Sequence, residues 1–287
     1  MRKVESQFSV VVPVSNDLSV REYAKSVSSA REFDSTEHVF VQNGVSDAVR
    51  QITDEFANDY SNHRNIQILE KGIQISRNIG ISQTSCEWIV NLDSDVQVNR
   101  RFFEALRIAI EENPGVEVLV PRLLRDEGQS FLQRMTSAHF TNLSRRPKPP
   151  VHNPGLVVRR TVYEDVGLLD TRFKNGNDND FKRRIKGKKT INVPGAVVFH
   201  KADPDAKLMK QHFKYGRDRS RISRHGHPED RKAILGDRIS KTLLFPKFIQ
   251  FLPYGFKVAS YETVLGFISA AGFWYQEGMR ILGKELL

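Results

Sequence analysis

EWIVNLDSD, residues 87–95, passes from an apolar run into an acidic turn without a break. Glu87 to Leu92 has the aromatic and β-branched content of a buried strand, and Asp93-Ser94-Asp95 stands where that strand would end. Upstream the pattern repeats. Phe8 to Val14 (FSVVVPV) reads as a strand buried on both faces, closed by the turn Pro13-Val14-Ser15-Asn16-Asp17. A helix over Leu18–Ala30, a strand over His38–Val41, a helix over Asp47–Asp59, a strand over Asn65–Leu69 and a helix over Ile73–Gln83 fill the interval. Downstream come a short helix over Tyr163–Gly167, a basic one over Phe181–Ile185, and strands over Thr190–Val193 and Ala196–Phe199. Strands alternating with helices at this spacing predict an α/β fold with a Rossmann-like, mostly parallel sheet flanked by helices. Ligands of such sheets lie beyond the carboxyl ends of the strands, which singles out Pro13–Asp17, Gln42–Asp47 and Asp93–Asp95. Ser144–Pro154 (SRRPKPPVHNP), with four prolines, reads as a flexible active-site loop or a crossing between subdomains.

The 287 residues, 39% of them hydrophobic, suffice for one large core or a main domain with an appendage, and exclude a mini-protein held by staples. Cys86 is the single cysteine, which excludes an internal disulfide and a thiolate zinc site and favours a reducing, cytosolic setting. MRKVESQFSVVVP lacks the apolar core and cleavage site of a signal peptide. Lys and Arg total 44 against 34 acidic residues, a net charge of +10, which suggests an anionic partner: nucleic acid, lipid or a phosphorylated substrate. Lys182–Lys241 alone holds 18 basic and 6 acidic residues, so the remaining 227 carry about −2. From Thr242 to Leu287 the chain is rich in Phe, Leu and Ile, yet its longest uncharged run, Thr263–Gln276, has 14 residues. A spanning helix needs about 20.

Asp93 and Asp95, two apart at a strand end, can converge on one hard cation that stays open to phosphate oxygens, the arrangement for a metal-diphosphate. An acidic triplet also makes an ordinary turn and cap. Its place at the carboxyl edge of a central strand favours the metal. His200, after the strand AVVF, is by itself a common polar edge residue, and the other seven histidines, among them His225 and His227, show no ligand spacing.

The ordered motifs PVSND, QNGVSD, SRNIG, LDSD, NPGLVVRRTVYEDVGLLDTRF, NDNDFKRR and VPGAVVFH, from Phe8 to His200, resemble a family 2 glycosyltransferase of the inverting, GT-A fold type. The resemblance implies that Asp93, Ser94 and Asp95 are its DxD motif, holding Mg²⁺ or Mn²⁺ and the diphosphate of a sugar nucleotide, with His200 completing the metal site. It implies that Pro13, Val14 and Asn16 line the base pocket and that Arg77 and Asn78 face the nucleotide and sugar. Two positions depart from the family. Gln42, followed by Asn43, replaces the acidic residue after the second strand, which weakens the charged hydrogen bond to a uracil N–H. Asn177 replaces the acid before Asp178, the residue matching the catalytic base; Asp180 is the fallback.

An inverting transfer needs one carboxylate to take the acceptor hydroxyl's proton while that oxygen attacks the anomeric carbon opposite the leaving diphosphate. Asp178 alone suffices if a metal stabilises the departing charge, although Asp178 at a helix start also suits an N-cap. The expected domains are a GT-A catalytic domain over 1–200, its nucleotide-binding half about 1–98 and its acceptor half about 99–200, and a helical extension over 201–287. The segment around Tyr215, Gly216, Arg217, Arg219 and Arg221 resembles succinoglycan-type polysaccharide glycosyltransferases. Next to an apolar tail it suggests a helix lying on an anionic leaflet. The donor expected is a nucleotide-diphosphate sugar, UDP ahead of GDP or dTDP, and the acceptor a glycan or lipid-linked hydroxyl of cell-surface polysaccharide synthesis. The expected location is cytoplasmic, peripheral on the inner face of the cell membrane.

Other classes fit less well. A nucleotidyltransferase of similar fold would want glycine in the loop after the first strand, and PVSND has none. A basic nucleic-acid-binding protein would want a recognition motif or a stacking platform, so no nucleic-acid partner is expected. A non-catalytic module is conceivable from Gln42 and Asn177, and the presence of Asp93, Asp95 and Asp178 together argues against it.

Overall fold

The computed structural model describes residues 7–14, 17–70, 72–146, 151, 154–172, 177–225, 227–242 and 244–282. Two compact units result: Met1–Leu124 with Arg146–Thr171 and Phe181–Lys201, and Arg125–Arg145 with Arg172–Asp180 and Ala202–Leu287.

In the first unit the chain forms β1 (Phe8–Val14), α1 (Val20–Ser28), β2 (Thr36–Asn43), α2 (Asp47–Asp59), β3 (His63–Ile68), α3 (Ile73–Ser82), β4 (Trp88–Asn91), β5 (Val96–Val98), α4 (Phe102–Glu112) and β6 (Val118–Arg125). Then α5 (Phe131–Ser144) belongs to the second unit, before β7 (Val157–Arg159), α6 (Arg160–Val166), α7 (Asn177–Arg184) and β8 (Thr190–His200). The strands make one sheet in the order β3-β2-β1-β4-β7-β6-β8-β5. From β3 to β4 it is parallel, with Val14 opposite Gln42 and Val11 opposite Asn91. Beyond β4 the ladders β4–β7, β6–β7 and β5–β8 are antiparallel. Every residue of β1 is buried, as expected for the middle of a sheet covered on both faces.

Two differences from the sequence reading have local causes. The stretch 190–200, expected as two strands, is one, because the Asn99 side chain carries the pairing across Pro194-Gly195: its amide donates to the Gly195 carbonyl (3.0 Å) and accepts from the Val197 N–H (2.9 Å). β5 and β7, three residues each, are too short to show a period.

Gly80 of α3 lies against β1 so closely that a Cβ there would stand 2.4 Å from Val11 Cγ1. An aromatic cluster of Phe33, Phe56, Tyr60, His38 and His63 fills the other end of this layer. Burial holds His38 well below the ordinary histidine range and pushes His63 down to about 4. Both rings are therefore neutral in the fold, whereas the unfolded chain takes up their protons near pH 6.5. Their contribution is fully present above about pH 6.5 and is lost as pH falls from there toward 4. Thermal melts from neutral pH to about pH 4.5 should show a falling midpoint, and a shallower fall in His63→Gln.

The second unit is helical: α5, α8 (Asp205–His225), α9 (Pro228–Thr242), α10 (Leu244–Phe251) and α11 (Phe256–Ile281). A capping box starts α5, with the Ser130 hydroxyl accepting from the Gln133 N–H and the Gln133 side chain from the Ser130 N–H. α8 and α11 touch through backbone: a Cβ on Gly216 would lie 1.8 Å from the Ser269 carbonyl oxygen, and one on Gly272 2.1 Å from that of Phe213. Gly216→Ala should force the helices apart and cost about 1–3 kcal/mol, read as a lower melting midpoint.

The basic face of α8, expected to meet a leaflet, is largely used within the unit. Arg217 donates to Gln276 (3.2 Å), Arg219 pairs with Asp237 (3.6 Å), and Arg224 and Ser220 reach Glu277 (3.8 and 2.5 Å). The apolar tail is likewise not an addition, since α11 buries Leu265, Ser269, Gly272, Phe273 and Gln276. No helix among the described residues is long and apolar enough to cross a membrane.

Candidate active site

The carboxyl ends of β1, β2 and β4 are adjacent because the three strands are neighbours in parallel register. Pro13 and Val14 are buried at the end of β1; Asn16 lies outside the described residues. Gln42 is also buried. Its amide donates to Thr53 Oγ1 (2.7 Å) and Asp54 Oδ1 (3.4 Å) on α2, while its Oε1 meets no donor among the described residues. Asn43, half-buried, donates to the Glu70 carbonyl (3.0 Å) and Ser76 Oγ (3.4 Å).

At the end of β4 the two acids of Asp93-Ser94-Asp95 diverge in partner. Asp93 forms an ion pair with Arg77, whose side chain is 4% exposed and also donates to Gln74 (3.3 Å). Ser94 is buried. Asp95 turns instead toward His200: β5 begins at Val96, Val96 pairs with His200 across the β5–β8 ladder, and His200 Nε2 stands 3.4 Å from Asp95 Oδ2.

The other nitrogen of His200 fixes what that contact means. Nδ1 lies 2.8 Å from the Lys201 carbonyl, which can only accept, so Nδ1 carries the proton. In the neutral ring Nε2 then presents a lone pair to a carboxylate oxygen, a repulsive pairing unless a cation or a proton stands between them. A backbone carbonyl behind the distal N–H is the support a metal-binding histidine normally has. Two ligands about 2.1 Å from one octahedral cation are about 3 Å apart, close to the observed spacing. The donor set therefore fits Mg²⁺ or Mn²⁺. It is a pair: among the described residues no group of three His, Cys, Asp or Glu could hold a metal.

Asn78 is occupied differently from expectation. Its amide donates to the Leu169 carbonyl (2.8 Å) and accepts from the Leu169 N–H (3.0 Å), so it pins the segment after α6 to α3. Asp178 and Asp180 sit in the first turn of α7; the Asp178 side chain lies outside the described residues, and Asp180 is half-buried. α7 is anchored one residue later. Phe181 is fully buried and stacks on Tyr163 (5.3 Å), and Arg184, over the Phe181 ring (5.3 Å), donates to the carbonyls of Val166, Gly167 and Leu168 (2.7–3.0 Å).

Sequence reasoning missed Asn91 and Tyr163. Asn91, buried two residues before Asp93, donates to the Leu156 carbonyl (3.2 Å) and to Tyr163 Oη (3.0 Å), tying the acidic turn's strand to α6. Its signal was a polar residue at the end of an apolar strand. Burial raises the Tyr163 hydroxyl to about 12, so it stays protonated.

Residues 9–202 match the family model described as glycosyl transferase family 2. Glycosyltransferase AglE of Haloferax volcanii is 24% identical over 228 residues, 75% of this chain and 73% of that protein. A pre-mycofactocin glycosyltransferase of Mycobacterium tuberculosis is 27% identical over 208 residues, which span 67% of this chain and 42% of that one. Among solved structures, the mannosyltransferase PcManGT from Pyrobaculum calidifontis, in complex with GDP-Man and Mn²⁺, aligns over 98% of this chain and 88% of its own with a TM-score of 0.63 at 15% identity. Residues 1–349 of TarS from S. aureus, in complex with UDP-GlcNAc, align over 97% and 92% with a TM-score of 0.56 at 16% identity. At these identities the structures speak for the fold, which is theirs: a mixed sheet flanked by helices with a helical C-terminal extension. The family match covers well over half of the chain, which therefore belongs to glycosyl transferase family 2.

Proposed function

We propose that the chain moves a sugar from a nucleotide-diphosphate donor to a hydroxyl acceptor, with inversion, using a divalent cation at Asp95 and His200. The observation that carries this reading is the His200 Nε2–Asp95 Oδ2 contact at 3.4 Å with Nδ1 turned to the Lys201 carbonyl. Bound there, Mg²⁺ or Mn²⁺ would supply positive charge to the departing diphosphate.

The chain's own groups do the rest. Arg77, held by Asp93, brings a fixed positive charge to the end of β4, and Ser94 lies between the two acids. Pro13, Val14 and Asn16 are assigned to the base side on the family resemblance, with Gln42 and Asn43 at the end of β2. Gln42 Oε1, a buried acceptor without a donor among the described residues, suits the ring N–H that uracil, thymine and guanine all carry. UDP leads on the family resemblance; the structural neighbours hold UDP-GlcNAc and GDP-Man. Asp178 takes the acceptor's proton, with Asp180 as the fallback. The acceptor is a glycan or lipid-linked hydroxyl, and the enzyme works peripherally at an anionic membrane surface, on its cytoplasmic side.

Incubating the protein with a panel of UDP-, GDP- and dTDP-sugars, with and without Mn²⁺, and following released nucleoside diphosphate tests the reading. Cation-dependent release from one donor class is expected. No release from any donor, with a lipid extract supplied as acceptor, would sink it.

A further inference from the structure

We infer that the outward face of α11, with the α10–α11 turn and the exposed face of α9, is the surface that lies on an anionic bilayer. This rests on the membrane part of the proposed function and assigns it to particular residues.

The turn comes first. Phe248–Phe256 (FIQFLPYGF) carries no charge, and Ile249, Tyr254 and Phe256 are 54%, 55% and 61% exposed. Along α11, Val264, Phe267, Ala271 and Trp274 follow at helical spacing and are all exposed, opposite the buried positions that pack the unit. From Phe256 to Trp274 the stripe runs about 27 Å. A monomer rarely leaves so long an apolar surface uncovered.

Acid is scarce along the outward face of α11. Between Lys257 and Glu277 the only ionic residue of α11 is Glu262, and it is turned inward, 3.3 Å from His139. Lys257 is paired with Glu127 at 3.0 Å. Trp274 joins α9 by donating to Thr242 Oγ1 (3.0 Å), and α9 continues the surface with Lys232, Leu235 and Ile239, exposed at i, i+3 and i+7. Apolar side chains interleaved with lysine, on helices that are not long and apolar enough to cross, are what an interfacial surface needs.

A second copy of this chain fits the face less well. A two-fold contact would set one copy of this apolar stripe against another, and Lys232, exposed on α9, would meet no acid of α11 there. Anionic headgroups answer that charge instead.

Flotation of the full chain with phosphatidylcholine vesicles, with and without phosphatidylglycerol, tests the inference. The intact protein should float with the anionic vesicles, and high salt should reduce but not abolish this. Phe256→Ser with Phe267→Ser should weaken binding at least about tenfold at both salt levels. Lys232→Gln should weaken it about fivefold at low salt only. Leu69→Ser, fully exposed in the first unit, should bind as the native protein does. Unchanged melting midpoints confirm that the variants fold. If the double serine variant floats like the native protein, the assigned face is wrong while the membrane reading stands. If the intact protein floats with no vesicle, both fall, and a dimer that the same variant dissociates would identify the stripe as a self-interface.

Discussion

Asp178→Asn is expected to leave donor binding within about twofold and to lower turnover about 10²–10⁴-fold, the usual worth of a positioned general base. The amide keeps the size of the aspartate, so α7, held by Phe181 and Arg184, should not shift. Calorimetry for donor binding and a coupled assay for nucleotide release separate the two quantities. If Asp178→Asn is fully active and Asp180→Asn carries the loss, the base is two residues further on. If neither changes turnover, the proton goes elsewhere and the assignment of α7 fails.

Asp95→Ala should be as damaging for a different reason. It removes the carboxylate opposite His200 Nε2, so metal-dependent donor binding and turnover should both fall, by about 10³-fold in turnover if the cation contributes several kcal/mol. His200→Ala should fall less, because the diphosphate can still bring the ion to Asp95. Asp95→Ala should not lower the melting midpoint much, since Asp95 is a partly exposed turn carboxylate. Asp93→Ala differs. It leaves the Arg77 guanidinium buried without its counter-ion, a loss of about 3–5 kcal/mol, so the variant should be destabilised before any effect on catalysis is considered. The two acids of one motif are thus separable by a thermal melt: only Asp93→Ala should lower the midpoint by several degrees.

Much of the parallel half of the sheet was legible because its signal is local. FSVVVPV and EWIVNL are apolar runs bounded by turn residues, and the helices between them carry a clear period. The antiparallel half was not, since β5 and β7 are short and β8 crosses Pro194-Gly195 only with the help of Asn99. The site divides along the same line. Asp95 and His200 could each be named from sequence, but their meeting depends on the β5–β8 register, a pairing more than 100 positions apart in the chain. The Asp93–Arg77 pair, the Asn78–Leu169 clasp and the Lys201 carbonyl behind His200 depend on side-chain direction and backbone placement, which no motif encodes. The basic stretch was legible only in part: composition counts arginines, and packing shows that Arg217, Arg219 and Arg224 point at partners within the unit.

The heat of UDP binding, measured with Mn²⁺ and with a chelator on the native protein and on Asp95→Ala, reads the cation site without needing the acceptor. Binding of UDP by the native protein should require Mn²⁺ and should disappear in Asp95→Ala, while the variant's melting midpoint stays near the native value. Binding of equal strength in the presence of chelator, or undiminished Mn²⁺-dependent binding by Asp95→Ala, would contradict a cation held between Asp95 and His200.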